Sequence, residues 1–594
     1  ASTRDNFYLR RDCMKRFLSV LLLTVAFFTM CLAAPFVEDS VLTAQGSKNG
    51  GTLRLALPSA PQSFNFYGVL DNSAYTVINQ FLAGLVDLHP VTNVVRPGLA
   101  ESWEFSKDYM EITFKLRDVK WSDGVPFTAD DVLFTMDYFV MNKVAKGNSV
   151  DRFTAAGKQV EWVKINPKTV KAVLPAPMPG IFQSLAQANI YPKHKLEAKI
   201  DKSNPDSVNK VWLTDTPTKD FASIGPYMLS DYIVDQKVVL KKNPNYWKVD
   251  SKNNKLPYFD SLEYLIVKDA EVRTAMFMSG QLDWMDVEAT AYPTLKQKEL
   301  SGAPFTIFLA EPTKNVPSPV HIAFNFDASN INLKNLFSNT KFRQAMEFAL
   351  DRYRIIDEVY QGLAVLGGVP VLPSNKAFYN PKIENIRRGF DLSKAATYLD
   401  ELGIKDTNKD GIREFKDGTK VEFTLLVANS PVDHQDVGLV FKENVEKLGI
   451  KINLQVLDAT LVGQKFGSGD FEAGIRAFGN QPDPELRKAI WQPGRQLYYF
   501  HRTTMNQNTK EPDQTYMYDW EKEVFEMFEK GAVTMNPELR KSYYDKWQEL
   551  YAEYLPVIFV CKGKNLYGAN KTLGNAYQAK DGLVYFSTWT AYRK

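Results

Sequence analysis

Three observations predict an α/β fold for this sequence. First, short runs alternate apolar with polar residues: at 110–117, Met110, Ile112, Phe114 and Leu116 interleave with Glu111, Thr113, Lys115 and Arg117. That period of two belongs to a strand with one buried face. Second, other runs place apolar residues at helical spacing, as in Val132, Leu133, Met136 and Phe139, the stripe of an amphipathic helix. Third, the two kinds of segment alternate along the chain, which points to a mixed α/β class. At 594 residues the chain exceeds a single core, so several domains of roughly 100–200 residues each are expected.

Residues 1–34 read as an upstream segment and a secretory signal. Lys15 and Arg16 follow Met14 as a basic start, 17–28 form a short apolar core, and Cys31-Leu32-Ala33 offers small residues at the two cleavage-determining positions. The apolar run is short of the roughly 20 residues a membrane span needs. Met30 before Cys31 argues against a lipid anchor, so export to the periplasm or the extracytoplasmic face is expected. Residues 35–49 form a polar leader.

Gly50 and Gly51 open a strand at 52–57, and a loop at 62–75 leads into a helix running through Val77, Ile78, Phe81 and Leu82 to Gly84. The 110–117 strand turns at Ser122-Asp123-Gly124. Thr128 then stands three residues before Asp131, the spacing of a capped helix start. Strands flank Asn166-Pro167 within 158–174, and a helix is expected at 181–188. A hairpin starts at Gly225-Pro226-Tyr227, with its second strand at 237–240. A strand at 262–267 precedes a helix at 270–279, and Gly280 is placed to accept the positive φ of a helix end. From His321 the character changes. One long helix with Phe342, Ala345, Met346, Ala349 and Leu350 on a face is expected to continue through Ile355 toward Gly362. A helix at 392–402, strands at 421–427, 450–457 and 471–477, and a helix at 437–448 follow. Asn536-Pro537 is a helix-starting pair for a last helix through Trp547 and Tyr551, which Pro556 ends before a strand at 557–560.

The formal charge of +3 lies entirely in the first 34 residues, where Arg4, Arg10, Arg11, Lys15 and Arg16 face only Asp5 and Asp12. A neutral remainder offers no electrostatic case for nucleic acid or an anionic membrane surface. Once the signal is removed only Cys561 is left, so no internal disulfide forms; behind the apolar run 557–560, that thiol reads as a small buried hydrophobe. None of His89, His194, His321, His434 or His501 stands in a zinc-protease arrangement. No nucleotide-binding glycine motif or nucleophile elbow occurs either. No catalytic residues are assigned.

Leu99-Ala100-Glu101-Ser102-Trp103 and the run W-S-D-G-x-P-F-T-A-D-D-V at 121–132 resemble the signature region of the family 5 extracellular solute-binding proteins. These are the capture subunits of ABC importers for peptides, oligosaccharides, nickel and related solutes. Gly225-Pro226-Tyr227, the N-P-x-Y-W turn at 243–247 and the F-R-Q-A-M-x-x-A-L-D-R helix at 342–352 extend the resemblance, which covers nearly everything from Gly50 to about Lys571. It implies a two-lobed periplasmic-binding-protein fold (type II, large cluster) with a third, inserted subdomain and a hinge cleft. Lobe I would hold 50–77, 224–320 and 556–594, with the inserted subdomain at 78–223 and lobe II at 321–555. It further implies a monomer that captures a small oligomeric solute by hinge closure and hands it to ABC permease and ATPase subunits. Oligopeptide and oligosaccharide stand level as the solute. The alternatives kept open are an extracellular hydrolase or lyase and a chemoreceptor-coupled binding protein.

By the same resemblance, Leu70, Asp71 and Asn72 form one cleft wall, and Arg476, Ala477, Phe478, Gly479, Asn480 and Gln481 form the other, with Trp491 close behind. Peptide-binding relatives often carry an aspartate near the end of the second segment, where it pairs with the ligand's ammonium. Asn480 occupies that place here, and Asp483 lies three residues on. An amide gives no charge-assisted pairing, which favours a neutral, hydroxyl-rich ligand. The residues themselves suggest one metal loop. Asp406, Asn408, Asp410, Ile412 and Glu414 place oxygen ligands at positions 1, 3, 5, 7 and 9 around Gly411, as Ca²⁺ requires. Asp417 falls at position 12, where an EF-hand has glutamate, and a strand follows instead of a helix. A structural Ca²⁺ is therefore possible, with no cofactor required.

Overall fold

The computed structural model describes residues 38, 49–69, 71–89, 94–147, 149–310, 319–479, 483–579 and 582–594. The expected signal, at 1–34, lies outside them. No helix among the described residues is long and apolar enough to cross a membrane.

Two sheets build the first half. Thr52–Leu57 buries Leu53, Leu55 and Leu57 on one face, as its alternation requires. It pairs in parallel with Ser261–Ile266, which continues antiparallel into the hairpin Lys237–Lys242 and Tyr227–Ile233. The second sheet runs Ala100–Phe105, Glu111–Leu116, Thr169–Val173, Glu161–Asn166. The helix Ala129–Thr135 packs on it and starts with a capping box: Thr128 N donates to Asp131 Oδ2 at 2.9 Å. Leu53, Ile112, Phe114 and Tyr264 belong to one continuous core, so this second sheet is fused to the first.

The second half is organised on a five-stranded sheet, ordered Lys451–Leu457, Glu422–Ala428, Ala473–Arg476, His321–Phe324, Val557–Phe559. All but its edge strand Lys451–Leu457 are largely buried. Leu425 and Val427 enter one core with Phe324 and Phe342, while Leu426 and Ala428 enter another with Phe466 and Trp547. A strand covered on both sides reads as a continuous apolar run, which is how 423–428 looks. A three-stranded sheet, Trp284–Asp286, Asn565–Asn570, Phe305–Ala310, joins the halves. The chain leaves it after Ala310 for His321–Phe324 and returns from Val557–Phe559 to Asn565–Asn570. The halves are thus linked twice, and 557–559 stays in the five-stranded sheet.

Two helices differ from expectation. The first is only Asn72–Ile78. Beyond it, Phe81 O accepts from Ile224 N and Gly225 N and Gln80 O from Tyr227 N, so the carbonyls that would continue the helix are taken by the hairpin start. Gly84 instead lies where a Cβ would stand 2.9 Å from Leu185 O. The long helix from 340 is two, Thr340–Phe348 and Arg352–Glu358. Asp351 divides them, its side chain accepting from Arg354 N at 3.0 Å as a new cap. Cys561 is fully buried, and burial pushes its thiol up to about 12.

Candidate ligand-binding cleft

The first expected wall is held by a cap. Asp71 Oδ1 accepts from Ala74 N at 2.8 Å and Oδ2 from Gln62 N at 3.0 Å, so one oxygen caps Asn72–Ile78 and the other ties down the loop before it. Burial raises the carboxyl's pKa. Asn72 beside it is exposed; Leu70 lies outside the described residues. Gln62, fixed by this cap, reaches the opposite lobe, where its Nε2 donates to Thr460 Oγ1 at 3.1 Å.

The second wall leaves the five-stranded sheet at Arg476. Its guanidinium lies over three rings, 4.6 Å from the centre of Phe478, 4.7 Å from Phe466 and 5.1 Å from Tyr499. Burial lowers its pKa. Phe478 also stacks on His321, at 5.7 Å and 23°. His321 is buried and pushed down to about 3 by desolvation, so it is a neutral imidazole bonded to Tyr499 Oη at 2.9 Å. Ala477 packs partly buried against the sheet's core and Gly479 is exposed. Asn480 and Gln481 lie outside the described residues.

Two expectations change here. Trp491 does not line the cleft: it is 1 % exposed, packed against Tyr551 and Phe559, and its carbonyl accepts from Tyr551 Oη at 2.5 Å. A large ring next to a sheet gains more from burial than from exposure. Asp483 cannot take the place of an ammonium-binding aspartate. Arg540 clamps both of its oxygens, at 2.7 and 2.8 Å, and both side chains are buried.

Contacts across the cleft come from residues the sequence did not single out. Asp151 and Arg495 pair at 3.0 Å, and Lys143 pairs with Glu511. Arg152 and Arg487 lie deep in the same region, on the short turns Val150–Phe153 and Pro484–Arg487. Tyr75, on the first wall's helix, is influenced by both charges and is pushed up to about 12 by burial. Short turns have no periodic pattern, so nothing in the sequence marks these arginines. The arrangement offers guanidinium donors and aromatic faces on walls from opposite lobes. That suits holding a solute by hydrogen bonds and ring contact.

The sequence profile of the bacterial extracellular solute-binding proteins, family 5 (middle region), matches residues 94–493. The chain belongs to this family. Among relatives of this solute-binding protein, a probable ABC transporter-binding protein of Deinococcus radiodurans is 29 % identical over 459 residues, covering 75 % of this chain and 76 % of the relative. The oligopeptide-binding protein AppA of Bacillus subtilis is 25 % identical over 599 residues, covering 98 % and 99 %. The structure of AppA with a nonapeptide superposes with a TM-score of 0.75 at 23 % identity, covering 92 % of this chain and all of that one. The periplasmic binding protein MelB of Agrobacterium fabrum, solved with stachyose, superposes at 0.78 with 23 % identity, covering 92 % and 85 %. The two-lobed periplasmic-binding fold expected from the sequence is therefore the fold of this chain.

Away from the cleft, the solute-binding protein's acidic loop partly assembles. Asp406, Asp410 and Glu414 bring one carboxylate oxygen each within 4.8 Å of one another. Glu414 is buried, and its Oε1 has no hydrogen-bond partner, a costly state for a carboxylate unless a cation meets it. Asn408 Oδ1 instead accepts from Asp410 N at 2.8 Å, and Asp410 Oδ2 pairs with Lys420 at 2.7 Å. Asp417 is turned away from the group, accepting from Thr419 N at 2.9 Å and Asn332 Nδ2 at 2.8 Å. Three carboxylates thus draw together, Asp410 among them already paired with Lys420, and the expected twelfth-position residue does not join them.

Proposed function

We propose that this solute-binding protein captures a short oligomeric solute, an oligopeptide or an oligosaccharide, between its lobes and delivers it to the permease and ATPase subunits of an ABC importer. The carrying observation is the set of lobe-to-lobe contacts beside the expected walls, Gln62 with Thr460 and Asp151 with Arg495. Family membership and the nonapeptide and stachyose bound in the AppA and MelB structures support the reading. Binding shifts the population toward the closed state, because only there do both walls touch the solute. The work is capture rather than bond-making, and the protein acts as a monomer on the extracytoplasmic side of the membrane.

Thermal-shift screening tests this. Oligopeptides and oligosaccharides are offered separately, and a ligand that binds only the folded protein raises its melting temperature. The bound solute is then recovered and analysed; chemically altered solute would replace the receptor reading with the hydrolase or lyase one. We also propose a structural Ca²⁺ at Asp406, Asp410 and Glu414, supported by the unpartnered, buried Glu414 Oε1.

A further inference from the structure

Resting on that receptor reading, we propose that the ion pair Asp151–Arg495 is a latch between the lobes. It sets how much of the protein stands closed before any solute arrives, and so scales the affinity for every solute alike. The pair spans two separate cores. Asp151 belongs to the turn Val150–Phe153, where Phe153 is buried in the first core and Thr154 Oγ1 donates to Val150 O at 2.8 Å. Arg495 stands between Trp491 and Tyr498, both buried in a core of the five-stranded sheet.

Arg495 is aimed by its own lobe. Its Nε donates to Gln492 Oε1 at 2.7 Å and its Nη2 to Glu529 Oε1 at 2.9 Å, and Gln492 Nε2 donates to the same Glu529 oxygen at 2.9 Å. Nη1 is left to cross the gap, where it donates to Asp151 Oδ1 at 3.0 Å. The guanidinium needs no rearrangement to meet Asp151, so little side-chain entropy opposes the contact. Release is equally simple. When the lobes part, Asp151 returns to water and Arg495 keeps Glu529, so no buried charge is stranded. Glu529 also serves Lys488 at 3.2 Å, and its sharing of Arg495 with Asp151 tempers the gain. A latch built this way is reversible.

The other polar crossings are weaker because of their surroundings. The side chains of Lys143 and Glu511 are 44 % and 55 % exposed, and an exposed pair is screened and worth little. Gln62 and Thr460 form a neutral, exposed hydrogen bond. The side chains of Asp151 and Arg495 keep only 17 % and 10 % of their exposure, where a charged hydrogen bond is worth a factor of about ten or more. The lobes also meet closely on this side: a Cβ on Gly180, next to the buried Ile181 of the first core, would lie 3.8 Å from Glu485 Cβ.

The first test needs no ligand. Small-angle scattering compares ligand-free wild type with Asp151→Asn, which keeps the shape and removes the charge, and with Lys143→Gln. The radius of gyration of Asp151→Asn should exceed the wild-type value, and Lys143→Gln should match wild type. Calorimetry with tetra-alanine and with stachyose then reads affinity. For each probe that wild type binds, Asp151→Asn should raise Kd by the factor its closed fraction has fallen, up to about tenfold and the same for both. Weakened binding of one probe alone, at an unchanged ligand-free radius, would make Asp151 a ligand contact instead of a latch. Equal radii for wild type and Asp151→Asn, or an equal rise in Lys143→Gln, would overturn the proposal, and binding of either probe by wild type would still leave the receptor reading standing. A larger radius in Asp151→Asn with neither probe bound upholds the latch and weighs only on the receptor reading.

Discussion

The carboxylate of Asp483 stands three residues beyond the position where an ammonium partner was expected, and Arg540 holds both of its oxygens inside the protein. Asp483→Ala leaves a buried guanidinium uncompensated, and urea unfolding should show a loss of about 3–5 kcal/mol. The folded variant should bind solute within about twofold of wild type; a selective loss of binding at full stability would make Asp483 a ligand group after all. Trp491→Ala should likewise cost about 3–5 kcal/mol as a core truncation, read in the same assay. His321 gives a pH signature. Its folded pKa, about 3, lies below the ordinary 6.5, so between these values the unfolded chain binds more protons than the folded one. Its contribution is complete above about pH 6.5 and is lost as pH falls toward 3, by up to about 1.4 kcal/mol per pH unit. Stability against pH for wild type minus His321→Gln should show that slope, and a flat difference would contradict a neutral buried imidazole.

Elements were legible wherever periodicity and caps agreed. Thr52–Leu57 and Glu422–Ala428 follow from their apolar patterns, and Thr128 with Asp131 marks a helix start that forms as a capping box. What the pattern missed was competition from distant or polar partners. The apolar spacing of Phe81 and Leu82 is helical, yet the hairpin start at 224–227 takes the carbonyls a helix would use. Asp351 sits inside a helical stripe and uses its side chain to begin a new helix. The helix Asp519–Val533 was not anticipated, although Trp520, Val524 and Phe528 recur at four-residue spacing and are buried. In the acidic loop, spacing alone included Asp417, whereas backbone direction turns it toward Thr419. Chelation should lower the melting temperature, added Ca²⁺ should restore it, and Asp406→Asn should remove the response. An unchanged melting temperature under chelator and Ca²⁺ would leave the loop as turns alone.

At the scale of the molecule, the family signature at 99–139 lies in the sheet fused to the first lobe, and its residues serve packing: Trp121, Phe127 and Val132 are buried. The cleft walls are expected from resemblance alone, and their chemistry was not readable from it. Trp491 sits close to the wall in sequence and points into the core, while Asp151 and Arg495, and Gln62 and Thr460, meet from segments far apart in the chain. Such a meeting depends on how two lobes face each other, which no local pattern encodes. The claim that binds these observations is capture by closure around an unaltered solute. Small-angle scattering during a titration with a solute identified by thermal shift tests it most directly. The expected result is a radius of gyration that falls to a plateau at one solute per protein, with the solute recovered intact. A radius that stays constant through saturation, or a solute recovered cleaved, would contradict it.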